Sequence, residues 1–211
     1  MPRLRRPQRE IDVIKKEILD TALELIIKDG FQHLSMRKLA SKLGMTATTI
    51  YNYFSNKDEI NLMIRMNGFE MLYRQFEKGY RNHDDPLTRL RAMIRSYFSF
   101  GIQYPNYYDL MFNLNTPKYL DYVDTDLEPV ARTEKEASLR NYDIIRKAVA
   151  ALLANQADRS ADAVLQKTVQ LWCDAHGVIS LFNSNFFQEI DARPSELIER
   201  LIEEVIGRVA G

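Results

Sequence analysis

A chain of 211 residues, 45% hydrophobic and 27% charged, is long enough to bury a sizeable core and too apolar to be disordered. Its 29 basic and 29 acidic residues cancel, but residues 1–65 hold 12 Lys/Arg against 8 Asp/Glu, a modestly basic head that hints at a polyanion partner. Cys173 is the only cysteine, which excludes an intrachain disulfide; with no secretory core behind the basic start and no apolar run near the roughly 18 residues of a membrane span, a soluble cytoplasmic protein with no membrane partner is expected.

Apolar residues recur at helical spacing, as in Ile14, Ile18, Ala22, Leu25 and Ile26, and alternating β-branched runs are missing. The pattern predicts an all-α fold of about nine helices. The first runs from about Arg9 to Lys28 and stops at Gly30, suited to a left-handed C-cap. Ser35 caps a second, through Leu43, ended by Gly44. Thr46 caps a third over Ala47–Phe54, and Ser55 or Asn56 caps a fourth from Lys57 toward Tyr80. Asp85-Pro86 opens a fifth, to Tyr104, and Asn106–Leu114 forms a short one. A helix from Leu127 to Asn155, one from Ser160 through Phe187 and a last one from Pro194-Ser195 complete the chain.

The second and third helices, with the Gly44 turn between them, form a helix-turn-helix, the unit that lays its second helix in a DNA major groove. On a helical wheel Ile50 and Phe54 face inward toward Leu39, Leu43 and the first helix, and Thr48, Thr49, Tyr51 and Asn52 face out. This outer face offers hydroxyls, an amide and ring edges with no large charge to forbid approach to base edges. Ala47 and Thr48 are small enough to let the backbone come close. Tyr51, Tyr53 and Lys57 would flank the groove and hold phosphates. The bland alternative is an ordinary surface helix.

The stretch LSMRKLASKLGMTATTIYNYFSNKDEI resembles the DNA-binding domain of the TetR family of bacterial transcription regulators. Gly44, Tyr51, the Tyr53-Phe54 pair and Lys57 fall at that family's spacing, and the first helix ends in Gly30-Phe31. The resemblance implies a three-helix DNA-binding domain over residues 1–61 and a helical ligand-binding and dimerisation domain over 62–211. It implies phosphate contact by Ser35, a base contact by Arg37, groove-facing roles for Ala47, Thr48, Tyr51 and Asn52, and backbone contacts by Thr49, Tyr53 and Lys57, with Thr46 at the start of the reading helix. Arg3, Arg5, Arg6 and Arg9 form a basic arm that either adds phosphate or minor-groove contacts or is a solvated tail.

Nine of the 22 aromatics fall between Tyr97 and Tyr122. Such a cluster suits either an ordinary aromatic core or a cavity with apolar walls and hydroxyls that orient a guest. Further on, Trp172, His176 and Gly177 form a Trp-x3-His-Gly string that, with QYPNYYDLMFN, resembles the ligand-binding half of a TetR subfamily. The expected ligand residues are Tyr97, Phe100, Tyr104, Tyr107, Tyr108, Met111, Phe112, Trp172 and His176. An interior there filled by side chains would count against the sensor half and leave the DNA half intact. No catalytic set, metal-ligand cluster or cofactor motif is visible, so no enzyme, metal or cofactor is expected.

One reading helix covers too few base pairs for a useful site, so a homodimer on a palindromic double-stranded DNA operator is expected. The small-residue stripe Gly177, Ser180, Ser184 and the apolar positions Leu197, Leu201, Val205 and Val209 of the last helix would build its interface. The resemblance implies a transcriptional regulator, a repressor released by a small-molecule effector. The competing reading is a small-molecule-binding or carrier protein whose helix-turn-helix no longer binds DNA.

Overall fold

The computed structural model describes residues 7–154 and 159–210, the last by its backbone alone. Arg3, Arg5 and Arg6 of the basic arm and most of the loop expected around Asn155–Arg159 lie outside the described residues. The described residues contain no strand. They form ten α-helices: α1 (Gln8–Asp29), α2 (Met36–Lys42), α3 (Ala47–Tyr51), α4 (Lys57–Arg81), α5 (Pro86–Gln103), α6 (Pro105–Tyr108), α7 (Glu128–Leu153), α8 (Ala161–Asn183), α9 (Phe186–Ile190) and α10 (Pro194–Ala210).

The chain gathers into two compact units, one of Met1–Gly68 with Asn106–Glu136, the other of Phe69–Pro105 with Ala137–Gly211. The division falls inside α4 and inside α7, not in a loop. Residues 106–136, assigned from sequence to the second domain, therefore pack with the first helices.

In the first unit α1 turns Ile18, Ala22, Leu25 and Ile26 onto Leu39, Ile50 and Phe54, and Ile60, Ile64 and Leu110 complete the same buried cluster. Helix ends are set by local chemistry. Ser35 Oγ accepts from the Lys38 backbone N–H and Thr46 Oγ1 from that of Thr49. Gly44 has φ of +64°, and around it Met45 N–H bonds to Ala40 O and Gly44 N–H to Ser41 O, the paired bonds of a Schellman stop. Gly30 also has positive φ, +86°, but its ψ of 150° is extended, so α1 ends by a sharp departure instead of the expected left-handed cap.

The third helix is shorter than expected, five residues instead of eight. Asn52 and Tyr53 form a turn, because Phe54 must reach the core, where it is 2% exposed, before Asn56 starts α4. Residues Asp109–Asn113 make a π-helical turn after α6 where an ordinary helix was expected.

In the second unit α8 packs against α5, α9 and α10, and α10 also meets α5. Asp85 caps α5 through the Thr88 N–H, with Pro86 at its first position. Ser160 caps α8. That helix stops at Asn183 instead of running through Phe187: Asn183 Nδ2 donates to Gly101 O, and Asn185 takes a left-handed conformation with φ of 62°. The chain then turns into α9.

Candidate nucleic-acid interface

Thr46 and Thr49 lock the start of α3. Their hydroxyls lie 2.9 Å apart, and Thr46 Oγ1 also receives the Thr49 N–H at 3.1 Å. Ile50, fully buried, pins the inner face of the helix. What remains outward is Thr46, Thr48, Tyr51, which is 55% exposed, and Asn52. Ser35 and Arg37 are exposed at the start of α2.

Ala47, Thr49 and Tyr53 are half-buried, and Ala47 and Tyr53 pack on the apolar cluster. Lys57 is engaged inside the unit. Its Nζ donates to Phe31 O at 3.3 Å and Gln32 O at 3.4 Å and stands 4.7 Å above the Phe31 ring. Two hydrogen bonds and one ring contact, all through Nζ, thus tie α4 to the turn after α1, and an ammonium has one further N–H to offer outward. Sequence reasoning passes over Ser41 and Lys42, exposed beside the Gly44 turn. Their position on the outer side of the α2 wheel was the signal. Lys38 is a poorer candidate, since its Nζ pairs with Asp29 Oδ2 at 2.8 Å and holds that carboxyl below its ordinary pKa.

The expected ligand residues are divided between the two units. Tyr97, Phe100, Tyr104, Trp172 and His176 belong to the second unit, and Tyr107, Tyr108, Met111 and Phe112 to the first. In the second unit Tyr97 meets the Trp172 ring edge-on at 5.6 Å, and both line an apolar slot with Phe76, Ile94, Leu171 and Ala175. The slot holds about 20 Å³, room for one water and far below the several hundred Å³ of a small-molecule site. Phe100 is fully buried and Tyr104 half in solvent. His176 Nε2 lies 3.5 Å from Ser180 Oγ on the same helix. A roomier polar groove of about 470 Å³ runs past Lys78, His83, Arg95 and Gln103, and none of these expected residues lines it.

In the first unit the Tyr108 ring meets that of Phe112 at a tilt, centroids 5.0 Å apart, and Tyr108 is fully buried. Tyr107 packs on the α1 cluster, and burial, aided by the Asp20 carboxylate, raises its pKa. Among the described residues no three His, Cys, Asp or Glu side chains gather as a metal site would require, and no helix is long and apolar enough to cross a membrane.

On α8, Gly177 and Ser180 are half-buried and Ser184 is exposed. A Cβ added at Gly177 would meet nothing within 4 Å. Leu165, Val169, Leu181, Phe186 and Ile190 present large exposed apolar side chains on α8 and α9. The buried stripe of α10 is Ile198, Ile202, Val205, Ile206 and Val209, which includes the expected Val205 and Val209, while the expected Leu197 and Leu201 are half-exposed at its edge.

Comparison with known proteins agrees with this architecture. Residues 18–62 match the family described as bacterial regulatory proteins, tetR family, and residues 90–205 match the tetracyclin repressor-like C-terminal domain. The chain is 26% identical over 83 residues to the fatty acid metabolism regulator protein of Bacillus subtilis, a stretch covering 39% of this chain and 43% of that one. It is 26% identical over 89 residues to the transcriptional activator FasR of Mycolicibacterium smegmatis, 42% and 41% of the two chains. The chain thus spans under half the length of these relatives. The crystal structure of PfmR from Thermus thermophilus superposes with a TM-score of 0.66 over 90% of this chain and 96% of that one at 18% identity. The helix-turn-helix of the first unit and the helical remainder carry the two matched regions of one family, and the chain belongs to the TetR family of DNA-binding transcriptional regulators.

Proposed function

We propose that the chain works as a homodimer that reads the two halves of a palindromic operator through α3, represses transcription while bound, and is released by a small molecule taken up in the second unit. The observation that carries the reading is the outward edge Thr48, Tyr51 and Asn52, presented by a helix whose start is capped by Thr46 and whose inner face is pinned by Ile50. Those side chains can be removed without opening the core, so they are the ones to test. Tyr51→Ala with Asn52→Ala should weaken binding to a duplex selected from random sequence by at least about tenfold, on the scale of one or two lost base contacts. The melting temperature should stay within a degree or two. Equal affinity for the selected duplex in the folded double variant would refute the assignment of the reading face.

Release needs an effector that prefers one arrangement by about 5.5 kcal/mol for a complete switch. The apolar lining around Tyr97 and Trp172 suits a largely apolar guest, and at about 20 Å³ the slot must open to admit it. Helix α4 belongs to both units, so a guest that displaces its later turns acts on the same rod that α3 is packed beside. The name of the Mycolicibacterium relative, an activator, favours testing the sign directly. A reporter downstream of the selected operator should rise when the protein is removed; a fall would reverse repressor to activator. A cytoplasmic location follows from this role.

A further inference from the structure

One face of α4 carries Asp58, Asn61, Arg65 and Gly68, spaced at three or four residues, and the segment from Tyr107 to Glu134 is docked along all of it. At Asp58, the Tyr122 hydroxyl donates to Oδ1 at 3.0 Å. Arg65, 5% exposed, pairs through Nε with Glu134 Oε1 at 2.7 Å, and Glu134 is itself buried. The Arg65 Nη1 reaches Leu110 O at 3.4 Å, Met111 O at 3.5 Å and Thr116 Oγ1 at 3.4 Å. It thereby serves carbonyls of the π-helical turn, where the backbone ladder is interrupted. At Gly68 the absence of a side chain admits the Met111 sulfur and the Tyr107 ring, with which a Cβ would collide.

Stability alone does not account for this surface. Asn61 is fully buried and interacts with the Tyr122 hydroxyl, but neither atom of its carboxamide makes a hydrogen bond of ordinary geometry. A buried ion pair is often matched or exceeded in stability by apolar residues of equal volume, and an unsatisfied buried amide costs stability outright. Such groups define one geometry, because they tolerate no slippage. The first turns of α4 lie directly after the reading helix, joined to it by the Phe54–Asn56 turn, and Lys57 ties them to the end of α1.

We infer that Asp58–Tyr122 and Arg65–Glu134 are positioning residues for DNA recognition: a polar latch, supplied by a segment outside the matched DNA-binding region, that fixes the register of α4 and through it the pose of α3. The latch rests on the DNA-binding role of the chain and adds to it that residues 107–134 are part of the reading head.

The test uses the full-length protein and two duplexes, one selected from random sequence by the unaltered protein and one unselected of the same length. The unaltered protein must prefer the selected duplex; if it does not, the DNA reading itself fails and the latch is not at issue. Arg65→Met with Glu134→Leu strands the Leu110 and Met111 carbonyls and should lower the melting temperature only modestly, leave binding to the unselected duplex unchanged, and cut the preference for the selected one about tenfold, the scale of one misread base pair. Asn61→Leu should raise the melting temperature. A merely structural pair would move stability and both affinities together. Should the double variant misfold, Tyr122→Phe, which removes one oxygen, takes its place with the same expected loss of preference. A folded variant that prefers the selected duplex as strongly as the unaltered protein overturns the proposal, as does an Asn61→Leu protein that melts lower.

Discussion

Lys118 shows how a single side chain records its surroundings. Its Nζ lies 3.5 Å from Thr116 Oγ1, the same oxygen that Arg65 Nη1 approaches, so two cations converge on one hydroxyl. Burial first, then the Arg65 charge, pulls the Lys118 pKa from 10.5 to about 8, with Glu134 and Asp121 pulling the other way. The sign of the linkage follows. Between pH 8 and 10.5 the unfolded chain holds more protons at this site than the folded one, so this group's contribution to stability rises with pH across that window and its penalty is present in full below about pH 8. The stem of Lys118 is exposed, and solvent screening reduces the penalty to about 1 kcal/mol. Lys118→Met should therefore stabilise the protein by about that amount at pH 7, and the advantage should shrink toward zero as the pH approaches 10.5. Urea unfolding of both proteins at pH 7 and pH 10 measures it; an equal difference at the two pH values would rule out titration of Lys118 as the cause.

At the scale of elements, helix starts were legible because they depend on residues three or four apart. Ser35, Thr46, Asp85 and Ser160 all cap the helices their positions announce. The start of α4 is tied twice over: Asn56 Oδ1 accepts the Glu59 N–H at 2.9 Å, and Glu59 Oε2 accepts the Ser55 N–H at 2.6 Å and its hydroxyl at 2.7 Å. Asn56→Ala should cost about 1 kcal/mol in thermal or urea unfolding, and no loss at all would mean that Ser55 and Glu59 suffice as the cap. Contacts between distant segments were illegible for the same reason. Nothing in the spacing of Arg65 and Glu134, 69 residues apart, announces a buried pair, and nothing around Lys57 announces the Phe31 and Gln32 carbonyls 26 and 25 residues back. The aromatic run from Tyr97 to Tyr122 is divided between two compact units at the α5–α6 junction at Pro105, a boundary that no local spacing announces.

For the whole molecule the question is what covers the exposed apolar side chains of α8 and α9. Leu165, Val169, Leu181, Phe186 and Ile190 are each at least 44% exposed, and the first three share α8 with Gly177. A patch of this kind marks an interaction surface more often than a solvated one. A second copy is the occupant that the proposed function calls for, because under it two reading helices held about 34 Å apart span successive half-sites. Gly177 separates this idea from a role inside the monomer. Since a Cβ there meets nothing within 4 Å, a side chain can begin at Gly177 without a clash in the monomer, and replacing a helical glycine should even favour α8 slightly, so Gly177→Phe is expected to fold. Against a second copy packed on that face, the ring would hold the helices apart. Sedimentation equilibrium should then find the variant folded but at least about tenfold weaker in self-association, with operator affinity falling as the dimer dissociates while the affinity of each head for unselected duplex persists. A Gly177→Phe protein that remains a dimer at the same concentrations would place the interface elsewhere on the chain.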